Sequence, residues 1–187
     1  MVSHVLRPEI GAVGAMLYYD NNTIQHAGVI LGIGKVAGHS HKYYKREKFG
    51  YFSRLKIIQN YSAVTGASML VKKQDYISVN GLNSEQLSVA FNAIDFSLKL
   101  LEIKKRNIWT PYAELYNHES ISRGHDNTEI KKKRFSNEMH YMLKIWNKQL
   151  KNDKYNNIKL KYKHKNNLDF KKYLKKFTNK VIKSFLN

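Results

Sequence analysis

His118, Glu119 and Arg123 fall within one short stretch, WTPYAELYNHESISRG over residues 109–124, that passes from a strand-like apolar run into a polar loop. A neutral imidazole is a reasonable ligand for manganese beside oxygen donors. A guanidinium presents a fork of donors that matches the oxygens of a diphosphate. The stretch therefore holds residue types that could handle a phosphorylated substrate with a divalent metal. Each also has an ordinary reading: a lone histidine is most often a surface or packing residue, and Arg123 serves equally in a loop salt bridge. The chain has 0 cysteines, which excludes thiolate metal sites and disulfides.

The elements that must position these residues are read from periodicity. Residues 11–19 alternate small and apolar side chains as a buried strand does, and Asp20-Asn21-Asn22 supplies a turn before the apolar run 24–33. Together they predict a hairpin. The run 32–37 formally matches a loose G-x-G-x-x-A dinucleotide fingerprint, but no helical pattern follows and no acidic residue sits at the required distance. We therefore read no nucleotide site there. Residues 35–50 read as a mobile loop in which His39 and His41 are solvated.

Residues 67–71 are apolar and followed by Lys72-Lys73, the pattern of a central strand leading into an amphipathic segment over 74–79 that Gly81 closes. Phe91, Ile94, Leu98 and Leu101 recur at helical spacing, with Asn92 as N-cap and Asp95 three residues on as its capping-box partner. Phe135, Met139, Met142, Leu143, Trp146 and Leu150 form a stripe spaced by threes and fours, predicting a helix that packs back on the core.

Three of these stretches carry a family resemblance: YSAVTGASMLVKKQDYISVNGL over 61–82, FNAIDFSLKLL over 91–101, and the run over 109–124. They resemble glycosyltransferase family 2, inverting sugar transferases that build bacterial surface polysaccharides. The resemblance implies an α/β class, a GT-A-like mixed sheet with flanking helices. The opening 14 residues look like the family's segment just after the D-x-D motif that chelates the metal, and no D-x-D occurs in the 187 residues. The expectation is thus a chain with the N-terminal nucleotide-binding half missing, from a split, truncated or decaying gene product. It would comprise a partial transferase domain over 1–128 and a helical, lysine-rich extension over 129–187. Strand edges left open by a missing half would invite pairing with another chain.

The same resemblance assigns roles. Where the family reads like N-D-V-D-F, this chain has Asn92-Ala93-Ile94-Asp95-Phe96, so the usual base position is Ala93 and the catalytic candidates that remain are Asp95 and Asn92. A carboxylate suits the role because it takes the proton only as the new carbon–oxygen bond forms, so placement outweighs basicity. Residues two apart on a helix point in very different directions, so Asp95 is no simple replacement for a residue at 93. A second acidic position is lost at Gly81-Leu82-Asn83-Ser84. Thr65, Gly66, Glu119 and Arg123 are the implied substrate-binding residues and His118 the implied metal ligand. The cofactor would be a divalent metal, manganese or magnesium, if the chain is active, and none otherwise. The implied partners are a nucleotide-sugar donor, a glycan or lipid-linked acceptor, and a separately encoded N-terminal half.

Charge adds a second line of reasoning. With 33 Lys plus Arg against 14 Asp plus Glu, the formal net charge is +19, a field that attracts phosphates, nucleic acid or anionic lipid. From Lys131 onward only Glu138, Asp153 and Asp169 oppose the lysines. Lys, Asn, Ile and Tyr are also favoured by AT-rich coding, and a charge run is usually a solvated face. In the last segment Phe170, Tyr173, Leu174, Phe177, Val181 and Phe185 share one helical face, with lysines opposite. That pattern fits a helix lying on an anionic leaflet, and equally one that covers the domain.

An alternative function class follows: a non-catalytic basic module for anionic membrane or nucleic acid, although no nucleic-acid motif supports the latter. No apolar run approaches the roughly 20 residues of a membrane span, and no signal peptide opens the chain. The expected location is the cytoplasm, with peripheral attachment at the inner face of the plasma membrane as an extension of the same reading.

Overall fold

The computed structural model describes residues 1–118 and 128–156. Helix α1 (Val2–Val5) is followed by strands β1 (Ile10–Tyr18), β2 (Ile24–His26), β3 (Val29–Leu31), β4 (Ala37–His39), β5 (Gln59–Tyr61) and β6 (Met69–Val71). Helices α2 (Lys73–Ser78) and α3 (Asn92–Glu102), strand β7 (Arg106–Tyr116) and helix α4 (Glu129–Lys151) complete the described elements. The chain is thus a mixed α/β fold with a curled sheet and flanking helices.

Strand β1 is the centre. Every one of its residues is buried, the pattern of a strand covered on both faces. On one edge it runs parallel to β7, from Ile10 beside Arg106 to Tyr18 beside Tyr116. On the other it pairs antiparallel with β2 at one end and β6 at the other. Strand β5 then adds antiparallel to β7. Of the predicted hairpin only the part up to His26 forms, between β1 and β2; the rest of the apolar run 24–33 leaves β1, and β3 pairs with β4 in a separate two-stranded sheet. At Gly14 a Cβ would meet the Val64 side chain at 2.8 Å, so only glycine lets the loop after β5 lie against the strand.

Three expectations are corrected. The stretch 67–71 is not a central strand: Gly66–Ser68 form a single 3-10 turn, and the three residues of β6 pair only with β1 among the described residues. Their side chains are only partly buried, and the lysines that follow end the strand. Residues 35–50 are not wholly loop, because β4 closes an antiparallel ladder with β3 in which His39 sits opposite Val29. The G-x-G turn is simply the connection of that ladder. Finally, the capping box does not form. Phe91, at φ 62°, is the N-cap of α3, and Asn92 is its first helical residue. The Asn92 side-chain oxygen instead accepts the N–H of Asn83.

Helix α4 packs Met142, Trp146 and Leu150 against Leu31, Val36, Leu87 and Leu98. Phe135, expected in the same stripe, is exposed, although its ring lies 5.1 Å from that of Phe91. Beyond the helix, Asp153 accepts the Leu31 N–H at 2.8 Å and the Ser62 hydroxyl at 2.7 Å, fastening the end of α4 to the strands. Among the described residues no helix is long and apolar enough to cross a membrane. The basic amphipathic segment predicted over 167–187 lies outside the described residues, so the extension over 129–187 is seen only as far as residue 156.

Candidate functional site

Strand ends, a turn and a helix start converge on a cavity of about 860 Å³. Thr65 and Gly66 reach it from the turn after β5, Asn92 and Ala93 from the first turn of α3, and Asn117 and His118 from the end of β7. Its wall is apolar where Val29, Met69, Val71 and Phe91 contribute. Four of the residues singled out in the sequence, Thr65, Gly66, Asn92 and His118, therefore line one space. Glu119 and Arg123 lie outside the described residues.

Asp95 is not among the residues lining the cavity. It is 1% exposed, its Oδ1 accepts the Trp146 indole N–H at 2.8 Å, and its Oδ2 lies 2.7 Å from the Lys99 ammonium. Helical geometry explains the placement: Ala93 faces the cavity, and two residues further the side chain points across to α4. Ala93 is thus the position from which a carboxylate would enter the cavity.

Thr65 caps the 3-10 turn, its hydroxyl accepting the Ala67 N–H at 3.4 Å. The end of β7 is held by a reciprocal amide pair: Asn117 donates to the Gln25 side-chain oxygen at 2.7 Å, and Gln25 donates back to the Asn117 carbonyl at 3.1 Å. That clamp sets the direction of His118. Its Nδ1 lies 2.6 Å from the Asp20 carboxylate in the turn between β1 and β2. A carboxylate only accepts, so Nδ1 carries hydrogen. Among the described residues no group of three or more metal-ligating side chains gathers.

Sequence reasoning missed His26 and read His39 and His41 as solvated. His26 is fully buried on β2, with Nδ1 2.8 Å from Nδ1 of His39 and Nε2 accepting the Gly28 N–H at 3.3 Å. Burial first, and the neighbouring His39 ring second, hold the His26 pKa well below the usual imidazole range. His39 lines the cavity and is not the solvated loop residue expected. His41 is likewise enclosed: its Nδ1 is 2.6 Å from the Ser40 hydroxyl, and burial followed by the charge of Arg54 lowers its pKa to about 4. The only sequence signal was the His-Ser-His spacing over 39–41, which does not reveal that a third histidine lies beneath it.

Glu138 of α4 shapes another part of the wall. It is buried at 3% exposure and accepts the Ser88 hydroxyl at 3.0 Å, the Val89 N–H at 3.2 Å and the Ala90 N–H at 2.6 Å. Ser88 and Val89 line the cavity, so a side chain of α4 holds a loop of the site.

Over 127 residues the chain is 32% identical to the O-antigen biosynthesis protein RfbC of Myxococcus xanthus, covering 67% of this chain and 10% of that protein. It is a distant, partial relative of an O-antigen biosynthesis protein. Over 146 residues it is 52% identical to the uncharacterized protein y4gI of Sinorhizobium fredii (strain NBRC 101917 / NGR234), covering 78% of this chain and 16% of that protein. The chain thus spans about a tenth and a sixth of the lengths of these two curated relatives, 10% and 16% respectively. No family model matches the chain, and no solved structure matches it.

Proposed function

We propose that this chain is the acceptor-side part of a GT-A-like glycosyltransferase of family 2, acting in the synthesis of a surface polysaccharide. The observation that carries the reading is the convergence of Thr65, Gly66, Asn92, Ala93 and His118, from three separate segments, on one cavity. These are positions that the resemblance singles out. The partial likeness to an O-antigen biosynthesis protein supports the same direction.

The cavity has the chemistry of a sugar site. Apolar side chains such as Phe91 and Met69 offer a surface to the C–H face of a pyranose, while Asn92 and His118 offer polar groups to its hydroxyls. Transfer with inversion needs a carboxylate to take the acceptor proton. The position that faces the cavity is Ala93, and Asp95 is occupied by Trp146 and Lys99. The described residues therefore hold and orient a sugar without supplying the base. The partners in this reading are a nucleotide-sugar donor and a glycan or lipid-linked acceptor.

The test is saturation-transfer NMR of the full chain with methyl β-D-glucopyranoside, N-acetylglucosamine and UDP-glucose, repeated on Ala93→Trp and Thr65→Ala. Transfer to a sugar ring in the native chain, reduced in both variants with unchanged circular dichroism, is the expected result. No transfer to any of the three, or transfer that both folded variants retain, overturns the reading.

A further inference from the structure

Helix α4 has a second face that the core does not use. Met142, Trp146 and Leu150 turn its inner side to Leu31, Val36, Leu87 and Leu98, and that packing continues through Trp146, where the backbone leaves helical dihedrals at φ −111°. On the opposite side Lys133, Asn137, His140 and Lys144 recur at spacings of four, three and four, and all are exposed. Lys148 and Lys151 are exposed beyond them. Over residues 130–151 the only acidic residue is Glu138, which is buried and accepts on the inner side from Ser88, Val89 and Ala90. Among the described residues no carboxylate pairs with Lys132, Lys133, Lys144, Lys148 or Lys151. The result is a strip of uncompensated positive charge roughly 27 Å long. Apolar side chains sit among the charges, with Ile130 82% exposed and Ile145 49%.

We propose that the outer face of α4 docks flat on the anionic headgroups of a lipid leaflet. This is a different element from the lysine-rich segment over 167–187. A leaflet spreads negative charge over a plane with an apolar layer beneath, and a strip of lysines flanked by isoleucines complements both. Nucleic acid is the weaker match. Binding a strand calls for open aromatic faces and forked guanidinium donors. On this helix the Phe135 ring lies 5.1 Å from that of Phe91, and Arg134 is turned to Glu138 at 3.7 Å. Ser88 and Val89, which Glu138 holds, line the cavity. The bound leaflet and that part of the cavity wall therefore lie on opposite sides of one helix, roughly 10–12 Å thick. The docking does not rest on the transferase reading.

The test is co-sedimentation of the full chain, at physiological salt, with vesicles of phosphatidylcholine alone and with vesicles in which one lipid in four is phosphatidylglycerol. The native chain should bind the anionic vesicles and not the neutral ones. Lys133→Gln, Lys144→Gln, Lys148→Gln and Lys151→Gln together should weaken binding on the order of 100-fold or more, at about 5-fold per lysine, with an unchanged thermal melt. A control carrying Lys35→Gln, Lys48→Gln, Lys73→Gln and Lys104→Gln, which are exposed elsewhere on the protein, should stay within about 3-fold of native because distant charges are screened. A loss under about 10-fold in the first variant, or an equal loss in the control, overturns the proposal, since residues 157–187 or net charge would then carry the binding.

A second readout locates the face. Trp109 and Trp146 are buried, so in Ile130→Trp the new indole is the exposed one, and phosphatidylglycerol brominated high on its acyl chains should quench it on binding. Binding without quenching overturns the proposal, as does tighter binding to duplex DNA than to the anionic vesicles at equal phosphate.

Discussion

Trp146 Nε1 donates to Asp95 Oδ1 across 2.8 Å, with both side chains at 3% exposure or less, so a single buried hydrogen bond ties α4 to α3. Replacing Asp95 by Ala strands the indole N–H and leaves Lys99 without its partner. The expected loss is about 2–3 kcal/mol, the penalty for an orphaned buried donor plus a charge-assisted contact. Asp95→Asn keeps an acceptor for the indole and should lose about 1 kcal/mol. Urea unfolding midpoints check both, and sugar binding by Asp95→Asn should be unchanged if the residue's role is packing.

Glu138 satisfies two backbone donors and one hydroxyl of the 88–90 loop, which forms part of the cavity wall. Glu138→Ala leaves those groups to find water or remain unpaired, with an expected loss of about 2–3 kcal/mol. Hydrogen exchange should localise the effect, with the Val89 and Ala90 amides exchanging faster while β1 keeps its protection.

Acid should destabilise the fold through its enclosed histidines. The pKa of His41 falls from 6.5 to about 4 on folding, and that of His26 is lowered well below 6.5. In both cases the unfolded chain binds the proton more readily. Their contribution is fully present above pH 6.5 and is lost as pH falls from there toward the folded values. For His41 alone the loss approaches roughly 3 kcal/mol at pH 4. Thermal melts at pH 7.5, 5.5 and 4.5 should show a steady fall, and His41→Gln should flatten part of it.

Gly28 is required twice over. Its φ of +96° lies in the region that favours glycine, and a Cβ would sit 2.3 Å from the Tyr61 ring. Gly28→Ala should therefore cost at least about 3 kcal/mol. Adding Tyr61→Leu relieves the clash but not the backbone strain, so the double variant should recover only partly in a thermal melt.

Local pattern carried some elements and not others. The unbroken small-and-apolar run of β1 and the three-and-four spacing of Met142, Trp146 and Leu150 are set by neighbours in sequence, so both were legible. The capping box failed because the partners that claim Asn92 and Asp95, the Asn83 N–H and the Trp146 indole, are brought in by the tertiary fold. Residues 67–71 looked central because their composition matches a buried strand, yet composition does not say which edge of β1 is already taken. Thr65, Gly66, Asn92 and His118, which line one cavity, are positions that only the resemblance singled out. His26 was missed and His39 was read as solvated, because nothing in a single histidine's surroundings along the chain shows that another will pack against it.

The parallel pairing of β1 with β7 sets an order of events at the ribosome. Strand β7 follows β1 by about a hundred residues, which at roughly 5–20 residues per second means on the order of 5–20 s of synthesis. Throughout that interval an unbroken apolar strand waits with one edge unpaired. Hairpin formation with β2 can shelter only its far end, where Leu17 and Tyr18 meet their partners. The newborn chain is therefore a natural client for a holding chaperone until β7 emerges. Yield from dilution out of denaturant should fall steeply with protein concentration, while yield from translation with chaperones present should not.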